Sequence, residues 1–301
     1  MALARRPLLQ WATLPAFGLI AGRAEAQRVR RDPPARDFAP MAKFFGDLRA
    51  LERRQRRGPV TVLQLGDSHT ANDAFSAGMR EALQARFGHA GRGYLPPGIP
   101  FRAYNPTQVS VAAGSEWRAT SSMEAGAPGP FGIAGLRQRA PGLGAEWRIE
   151  GEPGSFARAY LEILRQPHGG RIRVEMDGAP PAIIATEAPE RHAAFVALRA
   201  GRQARRLRIT ALGPGPVDLL GVELTRNGPG VAYANLGTIG ATIALTARWD
   251  QATVAAEMLH LKPSLLIVAF GTNEGFQPGL AIEGYEALFA RRVGLLAAAA
   301  P

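Results

Sequence analysis

The chain has 301 residues, long enough for one large or two modest domains, and 46% of them are apolar, so a substantial core can form. It contains no cysteine, which excludes disulfides, thiolate metal sites and cysteine nucleophiles. The net charge of +11 is carried by arginine, since Lys43 and Lys262 are the only lysines. The arginines are spread along the chain apart from Arg53, Arg54, Arg56 and Arg57, and aromatic residues do not interleave with them, which argues against a nucleic-acid surface.

In chain order, residues 1–26 carry Arg5 and Arg6, an apolar stretch and then Ala24-Glu25-Ala26. That is the order of a secretory signal cleaved after Ala26, too short and too broken by Pro15 for a stable transmembrane span. The arginine pair also permits a twin-arginine export route. A polar linker is expected over 27–39. Residues 40–57 place Met41, Phe44, Phe45, Leu48 and Leu51 at helical spacing, and Gly58-Pro59 should end that helix. A buried strand is predicted over 60–65, followed by a helix over 72–87 with Phe75, Met79, Leu83 and Phe87 on its apolar face.

From 95 to 228 the chain turns glycine- and proline-rich with short alternating runs, such as "QVSVAA", "EWRIE", "RIRVEMDG" and "RLRITAL". These read as the strands of a β-sandwich or jelly roll. α/β character returns over 229–301, with a strand at 231–234, a helix over 246–261, an apolar strand at 265–270 and a last helix over 283–300. The 265–270 run is of the kind found in the middle of a parallel sheet. The expected architecture is thus an α/β domain in two parts, 40–94 and 229–301, interrupted by a β-rich insertion.

Three polar, glycine-bearing turns fall at the carboxyl ends of predicted strands, where open parallel sheets bind ligands. They are Gly66-Asp67-Ser68, "NLGTIGAT" at 235–242, and Gly271-Thr272-Asn273-Glu274. Ser68 can act as a nucleophile or simply cap the next helix. The 235–242 turn can supply an oxyanion donor or cradle a phosphate. Gly88, Gly91 and Gly93 lack a phosphate-loop lysine and read as a glycine-rich helix exit. No spacing matches a metal site, and no cofactor is expected. Trp117, Trp147 and Tyr160 could stack on sugar rings but read first as core, and His260 as a surface or helix-end residue.

Taken in order, the three turns resemble the blocks of the SGNH (GDSL-type) hydrolase family, and "GDSHTANDAFSAGMREALQARFGHAGRGYLPPG" with "LLIVAFGTNEGF" is similar to its periplasmic peptidoglycan O-acetylesterases. The resemblance implies a flavodoxin-like three-layer α/β domain in which Ser68 is the nucleophile. It makes Gly240 and Asn273 the oxyanion donors, with Gly237 the less favoured register. It further implies an exported, periplasmic or secreted esterase acting on an acetylated polysaccharide or peptidoglycan. A glycan-binding protein using the insert, or an O-acetyltransferase using the same residues, are the alternatives. The family's base comes from a later Asp-x-x-His block. The histidines here are His69, His89, His168, His192 and His260, none after Asn273, so the base is expected outside this sequence. The α/β domain is then expected to be C-terminally incomplete, and these residues alone are expected to be inactive or strongly impaired. His69 is expected to hold the turn by local hydrogen bonds.

Overall fold

A computed structural model describes residues 39–300, and the signal and most of the linker expected at the N-terminus lie outside them. After a short 3₁₀ turn come α1 (Ala42–Glu52), β1 (Pro59–Gly66), α2 (Ser68–Ala71), α3 (Ala74–Phe87), β2 (His89–Gly91) and β3 (Gly93–Leu95). Ten strands follow: β4 (Val109–Ala113), β5 (Arg118–Ser121), β6 (Leu136–Ala140), β7 (Glu146–Gly151), β8 (Phe156–Arg165), β9 (Arg171–Met176), β10 (Ala182–Ala185), β11 (His192–Ala204), β12 (Arg206–Gly213) and β13 (Val217–Thr225). The chain then runs through β14 (Gly230–Gly237), a 3₁₀ helix (Ile243–Arg248), α4 (Gln251–Leu261), β15 (Leu265–Ala269), α5 (Thr272–Gly275) and α6 (Ile282–Ala299).

The α/β part is a parallel sheet in the order β15-β1-β14-β2. Side chains alternate across a strand, so a strand covered on both faces must be apolar throughout. β1 obeys this. Val60 and Val62, with Val231 and Tyr233 of β14, pack against Phe44, Leu48 and Leu51 of α1. Leu63 and Leu65, with Ala234 and Leu236, face Val254, Met258 and Leu261 of α4 and Leu296 of α6. β15 is the edge strand of this sheet and only half-buried, not the central strand its apolar run suggests.

The remaining strands form two antiparallel sheets, β10-β9-β12-β7-β4 and β11-β8-β13-β6-β5, with β3 added against β13. They share one apolar core that includes Trp147, Ile149, Phe156, Leu161, Ile172, Leu207 and Val222. Trp117 and Trp147 are buried in it, which accounts for both without a ligand.

Three elements depart from their sequence pattern. α1 ends at Glu52, before Gly58-Pro59, because Arg54 turns left-handed and Arg56 reaches back to Asp47 and the Pro59 carbonyl. The long helix expected over 246–261 is broken at Trp249–Asp250, where the Asp250 carboxylate accepts from Thr253 N and starts α4 afresh. α3 is turned from its apolar stripe: it buries Ser76, Ala77, Arg80 and Gln84, and leaves Phe75 65% and Met79 39% exposed.

α4 joins the two parts. Its Glu257 and the β8 residue Glu162 are fully buried carboxyls, and burial disfavours charge on both. The Tyr94 hydroxyl of β3 donates to Glu162, and Ile133 N donates to Glu257 (2.8 Å). One turn on, His260 is not a free surface residue: its ring stacks on Phe195 at 3.8 Å and its Nε2 lies 2.8 Å from Glu223. Burial pushes both glutamates up, and the Glu162 charge raises Glu257 further. Their contribution to stability is therefore complete below the ordinary carboxyl range and lost as pH rises through the raised values. Melting should fall by several degrees between pH 5 and pH 8. The Glu162→Gln/Glu257→Gln double variant should flatten that dependence, and an unchanged slope would refute the assignment.

Candidate active site

The functional turns sit where β1, β14 and β15 end. Leaving β1, the buried Asp67 caps α2: its Oδ1 accepts from His69 N at 2.9 Å. Ser68 is therefore the first residue of the helix rather than its cap, and among the described residues its hydroxyl has no hydrogen-bond partner. His69 turns away from Ser68. Its side chain is 75% exposed, with Nδ1 3.3 Å from Asp67 Oδ1 and 3.4 Å from Thr272 Oγ1, so it ties the first turn to the third.

Glycines let the turns meet. A Cβ on Gly66 would overlap Thr70 Oγ1 and stand 2.6 Å from the Ala269 carbonyl; one on Gly237 would overlap Ala71 N. Thr238 N donates to the Gly66 carbonyl at 2.9 Å, joining the first turn to the second. Gly240 lies beyond this contact, exposed and left-handed (φ 77°), with the Met123 methyl 3.9 Å from where a Cβ would stand. Asn273 reaches the same loop, its Nδ2 donating to the Ala241 carbonyl at 2.8 Å, which leaves the second amide hydrogen for another acceptor. Ser68, Gly240 and Asn273 thus lie on three turns that abut one another.

Two supporting groups have roles that motif reading does not show. Glu274, buried, accepts from Ile243 N (2.7 Å) and Gly271 N (3.1 Å), fixing the third turn against the segment after Gly240. Beneath α2 lies a buried ion network. Asp73, left-handed at φ 57°, accepts from Arg80 (2.7 Å), Thr107 N (2.9 Å) and Ser76 Oγ (2.7 Å), with Arg92 at 3.4 Å. Both guanidiniums also donate to Asn235 Oδ1 and the Tyr233 carbonyl. Asn235 Nδ2 in turn donates to the Thr70 carbonyl (2.9 Å), so the network reaches the turn that carries Ser68. A second path runs from Tyr233 OH through Gln64 to Thr70 Oγ1. The glycine-rich segment expected as a mere helix exit supplies Arg92, flanked by β2 and β3.

Burial alone would raise the Asp73 carboxyl, but the Arg92 charge and the hydrogen bond and charge of Arg80 outweigh it and hold it at about 2. Burial and the Arg80 charge pull Arg92 down to about 10 against the pull of Asp73. Among the described residues no group of three or more His, Asp or Glu side chains could hold a metal ion.

No protein-family model matches the sequence, and no curated protein matches it. Among solved structures, one described as a peptidoglycan O-acetylesterase in action superposes with a TM-score of 0.69 at 19% identity, covering 85% of this chain and 68% of its own. The chain shares that fold, a mixed α/β arrangement with a parallel sheet. A family two carbohydrate esterase from Cellvibrio japonicus (13% identity, 64% of this chain and 76% of its own, TM-score 0.24) and a carbohydrate-binding module of Cellvibrio mixtus lichenase 5A (14%, 37% and 88%, 0.25) superpose too poorly to carry any argument.

Asp73→Asn should leave two buried guanidiniums without their counter-charge and cost about 3–5 kcal/mol of stability. Because the Asp73 value is depressed, its contribution is present above the ordinary carboxyl range and lost as pH falls toward about 2. Denaturant unfolding at neutral pH measures the cost, and a loss under 1 kcal/mol would deny the network its structural role.

Proposed function

We propose that this chain is an exported serine esterase of the SGNH type that removes O-acetyl groups from a cell-wall or extracellular polysaccharide. The observation that carries the proposal is the meeting of the three turns bearing Ser68, Gly240 and Asn273 at the carboxyl ends of adjacent parallel strands. In this reading residues 40–94 and 229–301 form a flavodoxin-like catalytic domain, and 95–228 form a sandwich-like insertion. The substrate class follows the peptidoglycan O-acetylesterase whose fold the chain shares. Export rests on the order of charged, apolar and small residues in 1–26. Among the described residues no helix is long and apolar enough to cross a membrane.

The chemistry is acyl transfer. Ser68 Oγ attacks the ester carbonyl carbon, and the oxygen that gains the charge is held by Ser68 N–H, Gly240 N–H and the free Asn273 amide hydrogen. Collapse of the tetrahedral species breaks the bond to the sugar oxygen, which leaves with a proton, and water then releases acetate from Ser68. The Ser68 proton needs an acceptor, and among the described residues no imidazole hydrogen-bonds to Ser68 Oγ. The family resemblance implies a histidine paired with an aspartate for that role, and neither is identified in this sequence. No cofactor is required.

Acetate release from O-acetylated peptidoglycan, measured where that histidine and aspartate are supplied, tests the assignment. Ser68→Ala should abolish release, and Asn273→Ala should lower kcat by about 10²–10³. Full activity in Ser68→Ala would overturn it.

A further inference from the structure

A cavity opens on the turn after β14. About 190 Å3 in volume, it lies beside Gly237, Thr238 and Ile239 at the end of β14. Its other walls come from the loop after β3 (Pro96, Phe101), the loop after β5 (Met123) and the start of β6 (Leu136). The parallel sheet and the antiparallel part each supply walls. The Met123 methyl lies 3.9 Å from where a Cβ would stand on Gly240, so the cavity borders the proposed oxyanion donor directly.

The lining chooses the ligand. No charged side chain lines the cavity among the described residues, so an anionic or cationic group would find no partner. Met123 and Ile239 are 43% and 53% exposed at its rim, and large apolar side chains left exposed on both sides of one cleft mark a contact surface. Two hydroxyls break the apolar wall, those of Ser121 and Thr238. Ser121 Oγ already accepts from Met123 N (3.1 Å), so its own proton remains to be donated. A plain alkyl group would set these hydroxyls against carbon at a desolvation cost. A pyranose ring suits both features, because its C–H face is apolar and its rim carries hydroxyls. The volume is below the ~300–1,000 Å3 of sites for drug-sized ligands, room for one ring rather than several.

We infer that this cavity is a subsite for a single neutral sugar ring next to the scissile ester, with Phe101, Met123 and Ile239 meeting the ring face and Ser121 and Thr238 its hydroxyls. The inference rests on the esterase reading and deepens it: part of the glycan specificity is set by residues from the antiparallel part.

Calorimetric titration of the full chain with chitotriose, a neutral N-acetylated pyranose oligomer, tests it without requiring turnover. The wild type should bind, and Met123→Asp and Ile239→Asp, both at exposed side chains, should each weaken binding at least tenfold. Ile183→Asp, on exposed β10 outside the cavity, should bind as the wild type does. Absent binding, or binding unaffected at 123 and 239, overturns the subsite. Binding of hexanoate instead of chitotriose, lost in the same two variants, would make the cavity an acyl pocket and also overturn it. Hydrolysis of 4-nitrophenyl acetate by the wild type is read separately. Chitotriose binding that depends on 123 and 239, with hydrolysis unchanged in Ser68→Ala, would sink the esterase and leave the sugar subsite standing.

Discussion

The buried Asp73–Arg80–Arg92 cluster is the constraint around which the rest of the α/β part is arranged. Two guanidiniums and one carboxylate removed from water are tolerable only if nearly every donor finds an acceptor. Here they do so by consuming the Asn235 side chain, the Tyr233 and Thr107 carbonyls and the Thr107 hydroxyl. That demand explains why α3 presents Arg80 inward and Phe75 outward. It explains why Asp73 accepts a left-handed backbone, which a short polar side chain permits at modest cost. It also holds β14 in register beside the turn after β1, and so sets the spacing of the first two functional turns.

The same sequence was legible in some places and opaque in others, for identifiable reasons. β1 and β14 are covered on both faces, so their apolar runs read directly as parallel strands. The alternating runs of the antiparallel sheets read equally well, because one face of each strand meets a shared core. α3 misled because hydrophobic periodicity assumes that the apolar stripe is the buried one, and a buried ion cluster reversed it. β15 misled because an apolar strand at a sheet edge has the same letters as a central one. Of the site, the three turns were visible through their glycines and polar residues. Glu274 stood within a motif without showing its role, and Asp73, Arg80, Arg92 and Asn235 carried no local signal at all. Their partners lie as far as 165 residues away, and spacing along the chain cannot report so distant a contact.

α4 carries a different kind of junction. Its inward face meets the antiparallel part through Glu257 and His260, each set against a carboxylate of a neighbouring strand. An all-apolar helix would bind the two parts at any pH. Buried carboxyls at this seam make their attachment depend on protons, and that dependence is steepest above the pH at which carboxyls normally lose theirs.

The pairing of β1 with β14 also governs how the chain can fold. β1 is followed by every antiparallel strand before β14 exists, and the Arg80–Tyr233 hydrogen bond spans 153 residues. Closing so long a loop carries an entropic cost that is recovered only after it closes, which makes such pairings late and slow. The antiparallel sheets, rich in neighbouring-strand contacts, can assemble first, while the apolar β1 waits without its partners. During synthesis that waiting strand is the segment most exposed to misassociation, and early engagement of α1 is its available shelter.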